Sequence, residues 1–278
     1  MPSSSGVLVV CATPIGNLGD VTLRVLDALR TVDVIAAEDT RVTRKLLARY
    51  EIRTPLEAYH EHNRVTKTPE LVERIERGER IALVSDAGTP GVSDPGEQLV
   101  DACLNAGVRV EVLPGASAIL TALVASGLPT HAFYFGGFLP RKVGERSRAL
   151  KALAMLDATL VFYESPGRTA ATLASLAEVF PGRQAALGRE LTKLHEEVAR
   201  GEVSELAGRF KDRELKGEVV LLVGPPIAQE QLSLDEDAVR QRLAEAAAAG
   251  TSRRDAVREV AAEMGIPRND VYRVSLES

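Results

Sequence analysis

The chain is short of cysteine and has no segment suited to a membrane. Its 278 residues include only two cysteines, Cys11 and Cys103, and both lie in apolar patterns typical of buried elements. We therefore expect two free, buried thiols rather than a disulfide. No apolar run approaches the length that spans a membrane, and no basic-then-apolar signal opens the chain. These absences favour a cytoplasmic protein.

Two phosphate-binding fingerprints are also missing. The apolar run 7–11, which predicts a first strand, is followed by the loop 12–20 in the place of a Rossmann phosphate loop. This loop lacks the spacing Gly-x-Gly-x-x-Gly, and no lysine stands where a Walker A motif requires one. A dinucleotide or a nucleoside triphosphate is therefore disfavoured as the main ligand.

A uniformly basic surface is excluded as well, because 39 acidic residues outnumber 34 basic ones and the net charge is −5. Basic residues are nevertheless concentrated in 39–68 and in 141–151. Clusters of this kind can meet an anionic partner such as a nucleic acid. A solvated helix face has the same composition, so charge alone leaves both interpretations open.

Apolar runs alternate with helical spacing along most of the chain, which predicts an α/β protein. One series of strands and helices occupies residues 1–115 and a second occupies 116–228. A linker at 229–234 then opens a helical tail over 229–278, in which apolar residues recur as in a helix-turn-helix with Gly265 at the turn. We expect two tandem α/β domains and this small tail. Residues 251–278 of the tail carry five basic and five acidic residues, and this balance disfavours DNA binding by the tail alone.

The polar stretch 85–96 is long for a strand-to-helix connection. It follows the apolar run 81–84, which predicts a buried parallel strand, and precedes a helical pattern that begins at Glu97. Ligands bind at the carboxyl ends of strands in open α/β sheets. The glycines of this stretch allow close backbone approach, and Asp86 and Asp94 can hold a cation or accept hydrogen bonds. The alternative is an ordinary loop in which Asp94 caps the next helix.

Charged residues also follow the second predicted strand, 32–37, and Thr40 is placed to cap a helix over 41–50. Further along, the His-x-His spacing of His60 and His62 invites a metal interpretation. The sequence places no third ligand and no cysteine nearby, so we expect no metal site.

Seven motifs in order carry a resemblance to a known family. They are Thr13–Asp20, Ala37–Arg41, His60–Asn63, Ser85–Gly96, Pro114–Ser117, Tyr163–Pro166 and Arg189–Lys193. Together they cover nearly the whole chain, and they resemble the small-subunit ribosomal RNA 2′-O-ribose methyltransferase I family, which has the tetrapyrrole-methylase fold. Two positions depart from the family pattern: Gly167 stands where histidine is usual, and Arg64 where an acidic residue often follows.

The resemblance implies two α/β domains that hold S-adenosylmethionine in the cleft between them, usually in a homodimer. It implies methyl transfer to the ribose 2′-hydroxyl of a cytidine in the decoding region of 16S rRNA, in the 30S subunit. It also makes the tail the helix-turn-helix-like appendage of the family. S-adenosylmethionine carries no phosphate, which agrees with the missing fingerprints, and its cationic sulfonium and adenosine need backbone partners close at hand.

The motifs and strand ends give the candidate site residues. The expected cofactor contacts are Pro14, Ser85, Asp86, Ala87, Gly88, Gly115, Ala116, Ser117, Phe162, Tyr163, Glu164 and Leu187. The expected RNA contacts are Arg41, Arg44, Lys45, His60, His62, Asn63, Arg141 and Lys142. A ribose hydroxyl is a weak acid, so a base that takes its proton during transfer accelerates the reaction. Among the charged strand ends we favour Glu190 and Lys193 as catalytic residues, with Asp39 third.

Two other functions remain open at this point. A precorrin-type tetrapyrrole methylase has the same fold, although the helical tail and the basic clusters favour RNA. A non-enzymatic nucleic-acid-binding regulator would read its target with the helix-turn-helix-like tail. The balanced charge of residues 251–278 and the many polar strand ends argue against the regulator.

Overall fold

The computed structural model describes residues 6–94, 96–226, 236–264 and 268–276. They form two compact units, which divide after Pro226. The predicted linker at 229–234 and the predicted turn residue Gly265 lie outside the described residues, and the domain limits given above stay predictions.

The first sheet of the larger unit has five parallel strands. They are β1 (Val7–Cys11), β2 (Val34–Ala37), β3 (Leu56–Ala58), β4 (Arg80–Val84) and β5 (Arg109–Leu113). Their order across the sheet is β3-β2-β4-β1-β5, and each neighbouring pair is parallel. The apolar runs of β1, β2 and β4 are buried on both faces, as central parallel strands require.

Helices cover both faces of this sheet, because a parallel connection has to cross over. They are α1 (Leu23–Thr31), α2 (Thr40–Arg49), α3 (Arg64–Glu76) and α4 (Glu97–Asn105). The odd-numbered residues of β1 pack with α1 and α2, and the even-numbered ones pack with α3 and α4. The carboxyl ends of β1, β2 and β4 therefore meet at one edge, where the polar loops predicted from the sequence begin.

The second sheet is mixed. Its strands are β6 (Phe133–Phe138), β7 (Thr159–Glu164), β8 (Gln184–Arg189), β9 (Glu197–Glu202) and β10 (Val219–Val223). They lie in the order β6-β7-β10-β8-β9, with β6 parallel to β7 and the other pairs antiparallel. One face packs against α6 (Val143–Ala152), α7 (Thr169–Val179) and α8 (Val203–Phe210). The other face packs against α5 (Ala118–Ser126) and against Ile15 from the first sheet's edge, so this cluster joins the two sheets.

The sequence predicts no element at β3, β9 or α8. β3 has only three residues, and β9 reads Glu-Val-Ala-Arg-Gly-Glu, which carries no apolar run. β9 is a strand because it pairs with β8 along its whole length. This pairing leaves no pattern in the local sequence of β9.

The predicted cap of α2 and the alternative in which Asp94 caps α4 are both wrong. The cap of α2 is Asp39, whose carboxylate accepts from the Arg41 N–H at 2.8 Å, because the helix begins one residue earlier than the pattern predicts. The residue at the start of α4 is Gly96, and no side chain caps that helix. Asp94 is therefore free for a role other than capping.

The smaller unit has three helices in its described residues. They are α9 (Glu236–Ala248), α10 (Arg253–Met264) and α11 (Arg268–Leu276). Their shared core consists mainly of valines, among them Val239, Val257, Val260 and Val271. The predicted helical tail is confirmed.

Both cysteines are free and fully buried, as predicted. Burial raises the pKa of the Cys11 thiol to about 12, which makes it unreactive at neutral pH. No helix in the described part of the chain is long and apolar enough to cross a membrane.

Candidate active site

A cavity of about 420 Å³ lies where the two sheets meet in the larger unit. The loop after β4 and the start of α5 form one side, and the end of β7 and the start of β10 form the other. The volume is within the range of ligand pockets, about 300–1,000 Å³. The position agrees with the rule that open α/β sheets bind ligands beyond the carboxyl ends of their strands.

The structure brings part of the predicted cofactor set to this cavity. The lining includes Ala87, Gly88, Ser117, Tyr163 and Glu164. It also includes residues that the sequence analysis did not single out or had given a capping role, among them Ile15, Ser93, Asp94, Leu191 and Glu218. Ser93 and Asp94 belong to the loop after β4 and Leu191 to the loop after β8, and the strand-end pattern was the available signal for these three.

Five more predicted residues lie beside the cavity without lining it. They are Pro14, Ser85, Asp86, Gly115 and Ala116. Ser85 is buried, and its hydroxyl donates to the Ala87 carbonyl at 3.3 Å, so it shapes the loop from behind. Asp86 accepts from the Asp39 N–H at 3.0 Å and thereby ties the loop after β4 to the loop after β2.

Phe162 and Leu187 are not brought to the cavity, which corrects the prediction for them. They are 1% and 0% exposed and pack in the core with α6, α7 and α8. Side chains alternate between the two faces of a strand, so Tyr163 reaches the cavity and Phe162 points the other way. The apolar wall on this side comes from Val219, Val220 and Leu191 instead.

Backbone pairing joins the first loop to the loop after β4. Thr13 and Gly88 form a short antiparallel bridge with N–H to carbonyl distances of 2.8 and 3.0 Å. Gly88 has a φ of 77°, a conformation that glycine adopts without strain. The cavity wall at Ala87 and Gly88 is therefore held in a fixed position relative to β1.

Carboxylates crowd the side of the cavity formed by the first sheet. The pKa of Asp94 is raised to about 7, first by burial and then by the nearby charges of Glu38 and Asp86, while a hydrogen bond with Ser85 opposes the shift only in part. Burial also raises the pKa values of Glu38 and Asp86. Across the cavity, burial and the charge of Asp94 raise the pKa of Tyr163 to about 12. Asp94 is thus a cavity carboxyl that titrates near neutral pH.

The two favoured catalytic residues form an ion-pair cluster at the rim. The Lys193 ammonium donates to Glu190 Oε1 at 2.8 Å and to Glu218 Oε2 at 2.9 Å. The hydrogen bond from Lys193 lowers the pKa of Glu190. Burial lowers the pKa of Lys193, but the two carboxylates outweigh burial and the net shift is upward. The stem of Lys193 passes over Gly16, where a side chain would collide with it.

Asp39, the third candidate, is half-buried and is bound to its neighbour. Its carboxylate pairs with the Arg41 guanidinium at 2.6 Å. The hydrogen bonds from Arg41 lower the pKa of Asp39 to about 2, which makes it a weak base. Asp39 does not line the cavity.

Glu164 lines the cavity, but its carboxylate is bound by other groups of the protein. Its carboxylate accepts from the Thr172 hydroxyl at 2.6 Å and the Ser165 N–H at 2.7 Å, and it pairs with Arg168 at 3.2 Å. It is therefore part of the wall rather than a free acid.

The predicted RNA contacts divide into exposed and engaged side chains. Arg44 and Lys45 are exposed on α2 and form no ion pair with any described residue. His62 and Arg141 are exposed too, and Lys142 is exposed while it pairs with Glu145 at 3.1 Å. In contrast, the Asn63 amide accepts from the His60 N–H at 2.8 Å and donates to the Ala58 carbonyl at 2.8 Å. Asn63 therefore holds its own loop together, and His60 is half-buried against His62.

Strained backbone is concentrated at the rim of the cavity. Among the described residues, four that are not glycine have a positive φ, and three of these are Ser93, Glu190 and Thr192. Ser93 lines the cavity, and the other two flank the lining residue Leu191. Strain of this kind persists only where the surrounding structure enforces it, and it gathers at functional sites.

No group of three or more histidine, cysteine, aspartate or glutamate side chains suited to a metal ion occurs among the residues that the structure describes. The cavity lining instead combines apolar walls, a glycine and a carboxyl of raised pKa.

Comparison with known proteins shows the family to which this chain belongs. Residues 7–207 match the family model of the Tetrapyrrole (Corrin/Porphyrin) Methylases, and the chain belongs to this family of methyltransferases. Within it, the chain is a member of the ribosomal RNA small subunit methyltransferase I group. A protein of that name from Synechocystis sp. is 45% identical over 274 residues, or 98% of each chain. Another from Mesorhizobium japonicum is 48% identical over 272 residues, 97% of this chain and 91% of its own.

A solved structure agrees in fold. Uroporphyrin-III C-methyl transferase from Thermus thermophilus, complexed with S-adenosyl homocysteine, matches with a TM-score of 0.56 at 20% identity, over 78% of this chain and 96% of that one. S-adenosyl homocysteine is what S-adenosylmethionine becomes after it has given up its methyl group, which agrees with the predicted cofactor. The family, the fold and the enzyme class predicted from the seven motifs are confirmed.

Proposed function

We propose that this protein transfers a methyl group from S-adenosylmethionine to the ribose 2′-hydroxyl of a cytidine in the decoding region of 16S rRNA. The observation that carries the proposal is the cavity between the two sheets. The choice of methyl acceptor is supported by the relatives at 45% and 48% identity, which are named ribosomal RNA small subunit methyltransferase I.

The cavity fits S-adenosylmethionine in volume and in chemistry. Leu191 and Val220 give apolar walls suited to adenosine, and Gly88 exposes backbone groups without a side chain. Asp94 and Glu218 bring carboxylates to the same space, which suits a ligand with a cationic sulfur and an ammonium group. When bound, S-adenosylmethionine supplies a methyl group on a positively charged sulfur. The proposed contacts are Ala87, Gly88, Ser117, Tyr163 and the wall at Glu164.

Asp94 is the proposed proton acceptor for the ribose hydroxyl. It lines the cavity, and its pKa of about 7 lies close to the working pH, where a general base is most effective. Asp39 is a weaker base because Arg41 lowers its pKa to about 2. Lys193 carries a proton at neutral pH, and its pKa is raised further by two carboxylates in spite of burial, so it is no base.

The proposed role of Glu190 and Lys193 is to hold the walls of the cavity in place. Lys193 joins Glu190 to Glu218 at the start of β10, and its stem packs on Gly16 in the loop after β1. The ion pair thus ties the second sheet to the first beside the cavity. This fixes the distance between the two walls, and holding reactants in place contributes much of the rate of a transfer reaction.

The RNA is proposed to approach over the exposed basic side chains outside the cavity. Arg44 and Lys45 on α2 are the strongest candidates, with His62, Arg141 and Lys142 beyond them. Arg41 is engaged by Asp39, so it contributes less free charge. The proposed substrate is the 30S subunit in the cytoplasm.

A homodimer is proposed from the apolar side chains that the larger unit leaves exposed. Helix α5 contains no charged residue, and its Leu120 and Val124 are 52% and 75% exposed. Val112 on the edge strand β5 and Phe133 on the edge strand β6 are exposed as well. Exposed apolar groups on edge strands favour association with a second chain.

The test is methylation of 30S subunits that lack the modification. The protein is incubated with isotopically labelled S-adenosylmethionine, and the rRNA is digested and mapped by mass spectrometry. We expect one 2′-O-methylated cytidine in the decoding region. Label that enters a precorrin-type macrocycle and not the RNA would establish the tetrapyrrole alternative. If calorimetry detected no binding of S-adenosylmethionine, the alternative of a non-enzymatic nucleic-acid-binding regulator would be supported.

A further inference from the structure

A second cleft lies in the smaller unit, between α10 and α11. Its volume is about 380 Å³, and its lining consists of Arg253, Arg254, Val257, Arg268 and Tyr272. Three of these five residues are arginines, so the cleft is cationic even though the whole tail, 229–278, has ten acidic and seven basic residues.

The three arginines stand where helix stability disfavours them. Arg253 and Arg254 are the first two residues of α10, and Arg268 is the first residue of α11. The amino-terminal end of a helix carries a partial positive charge, so cations there are unfavourable and anions are favourable. Their placement weakens the helices slightly, which points to a role other than folding.

These side chains also lack the partners that other arginines of the same unit have. Arg253, Arg254 and Arg268 form no side-chain ion pair or hydrogen bond with any described residue. By contrast, Arg242 pairs with Glu245 at 2.8 Å, and Arg258 pairs with Asp255 at 3.0 Å. Unpaired guanidinium groups keep their planar sets of donors available for a phosphate.

Among the side chains that the structure describes, Asp255 is an acidic group close to the cleft. Asp255 accepts from the Ser252 hydroxyl at 2.6 Å, and its own N–H donates to Ser252, as in a helix cap. Its carboxylate pairs with Arg258 at 3.0 Å, and it also attracts Arg254 and Arg268 without forming an ion pair with either. One carboxylate against three arginines leaves the net charge of the cleft positive.

Tyr272 adds a flat apolar surface to this charge. Its side chain is 52% exposed, whereas Val257 beside it is buried and closes the floor. A cationic groove with an exposed aromatic ring is the combination that holds single-stranded nucleic acid, since phosphates meet the charges and a base stacks on the ring.

We propose that the cleft between α10 and α11 binds a single-stranded segment of RNA, with phosphates on Arg253, Arg254 and Arg268 and a base stacked on Tyr272. The proposal rests on the proposed function, because it assigns the tail to the same rRNA substrate. It gives the smaller unit a docking role, which adds affinity for the substrate without any contact with the reacting ribose.

The test measures RNA binding by the full chain, without the methyl transfer step. The probe is an end-labelled single-stranded RNA of mixed sequence, about 16 nucleotides long, followed by fluorescence anisotropy over a range of salt concentrations. The variant is Arg253→Gln/Arg254→Gln/Arg268→Gln. We expect affinity to fall at least tenfold at low salt and the salt slope to decrease by about 2, as the loss of three phosphate contacts on a single strand predicts.

The matched control is Arg240→Gln/Arg242→Gln/Arg273→Gln, which removes the same charge from the same unit. These arginines pair with acidic residues, among them Glu236 and Glu245. The control is expected to bind within twofold to threefold of wild type. Equal weakening of both variants would overturn the proposal, because net charge alone would then explain the effect.

Tyr272 provides a separate arm. Tyr272→Phe is expected to bind as wild type, and Tyr272→Leu to bind about fivefold more weakly or worse, since only the ring stacks. Equal binding by both would contradict the stacking. Removal of arginines from helix starts does not weaken the helices, so the melting temperature is expected to stay at or above that of wild type.

Failure of the proposed function has a different signature. If the wild-type protein methylates no 30S subunit while the arginine variant alone loses RNA affinity, the proposed reaction is wrong and the RNA-binding cleft stands. If the wild-type protein methylates the subunit while the arginine variant keeps full RNA affinity, the proposed reaction stands and the RNA-binding cleft is wrong.

Discussion

At the scale of single residues, the cavity is shaped by carboxylates that come from separate loops. Glu38 follows β2, Asp86 and Asp94 follow β4, and Glu218 precedes β10. Burial raises the pKa of Asp94 most, and the charges of Glu38, Asp86 and Glu218 raise it as well. The proton acceptor is thus made by its surroundings rather than by its residue type.

The first prediction concerns Asp94→Asn. A base with a pKa of about 7 is charged above that pH, so wild-type kcat/KM is expected to rise as the pH increases through 7 and then to level off. The variant is expected to lose about 10²- to 10⁴-fold in kcat and to show no such rise. Asp39→Asn is the comparison, and a wild-type pH profile is expected to persist there. A rise through pH 7 that remains in Asp94→Asn would assign the base elsewhere.

The same shift affects stability. The folded pKa of Asp94 lies above the ordinary value of 3.8, so the folded protein binds this proton more tightly than the unfolded chain does. Its contribution to the free energy of unfolding is complete below about pH 4 and is lost as the pH rises through 7. Asp94→Asn is therefore expected to gain stability relative to wild type from pH 4 to pH 8. Urea denaturation at both values measures this, and a constant difference would contradict it.

A third prediction concerns Gly217→Ala. Gly217 has a φ of 88°, and a side chain there would collide with the Glu190 carboxylate. We expect a loss of about 1–3 kcal/mol in the free energy of unfolding and lower methyl transfer, because Glu190 must leave Lys193. Gly208→Ala in α8 is the control, since nothing lies near its missing side chain, and it is expected to be neutral or stabilising. Similar losses in both would reject the role given to Glu190.

At the scale of elements, α2 combines a buried and a basic face. Thr43, Leu46 and Leu47 pack inward, so the helical period leaves Arg44 and Lys45 outward. The helix follows β2, whose end carries the carboxylates of Glu38 and Asp39. The basic side chains proposed to bind RNA therefore lie close to the carboxylates at the end of β2, but on a separate surface.

The prediction at this scale is the pair Arg44→Gln/Lys45→Gln. We expect 30S or rRNA binding to weaken by about tenfold, because two free cations are lost, while S-adenosylmethionine affinity in calorimetry stays unchanged. Arg30→Gln/Arg77→Gln removes the same charge from exposed residues paired with Asp27 and Glu73. The assignment to α2 is rejected if the two double variants weaken RNA binding alike.

At the scale of the whole molecule, the apolar face of α5 has no partner within the described chain that covers Leu120 and Val124. The same helix lines the cavity with Ser117, Ala118 and Ile119 at its start. Association through α5 would therefore fix one wall of the cavity from outside.

The prediction for the assembly is measured by sedimentation equilibrium. Wild type is expected to be a dimer, and Leu120→Glu/Val124→Glu is expected to be a monomer, because charges buried at an interface without partners are costly. Val65→Glu, at an exposed apolar position on α3, is the control and is expected to stay dimeric. A monomeric wild type would disprove the homodimer.

Much of the fold and family was readable in the sequence. The apolar runs of β1, β2 and β4 predicted buried parallel strands, and the seven motifs at strand ends predicted the family that the comparisons confirm. Both depend on local patterns: strand burial follows from short apolar runs, and loops that approach a ligand need glycine at fixed places. The cavity at the end of β4 was expected for the same reason.

Tertiary structure decided what depends on distant neighbours. Phe162 and Tyr163 are adjacent in sequence, yet only Tyr163 reaches the cavity, because the register of β7 against β10 sets their faces. Asp94 acquires its pKa from burial and from charges on other loops. Arg253, Arg254 and Arg268 converge on one cleft, although acidic residues outnumber basic ones in the tail. Sequence fixes which groups are present, whereas burial and pairing, which only the folded chain creates, decide what those groups can do.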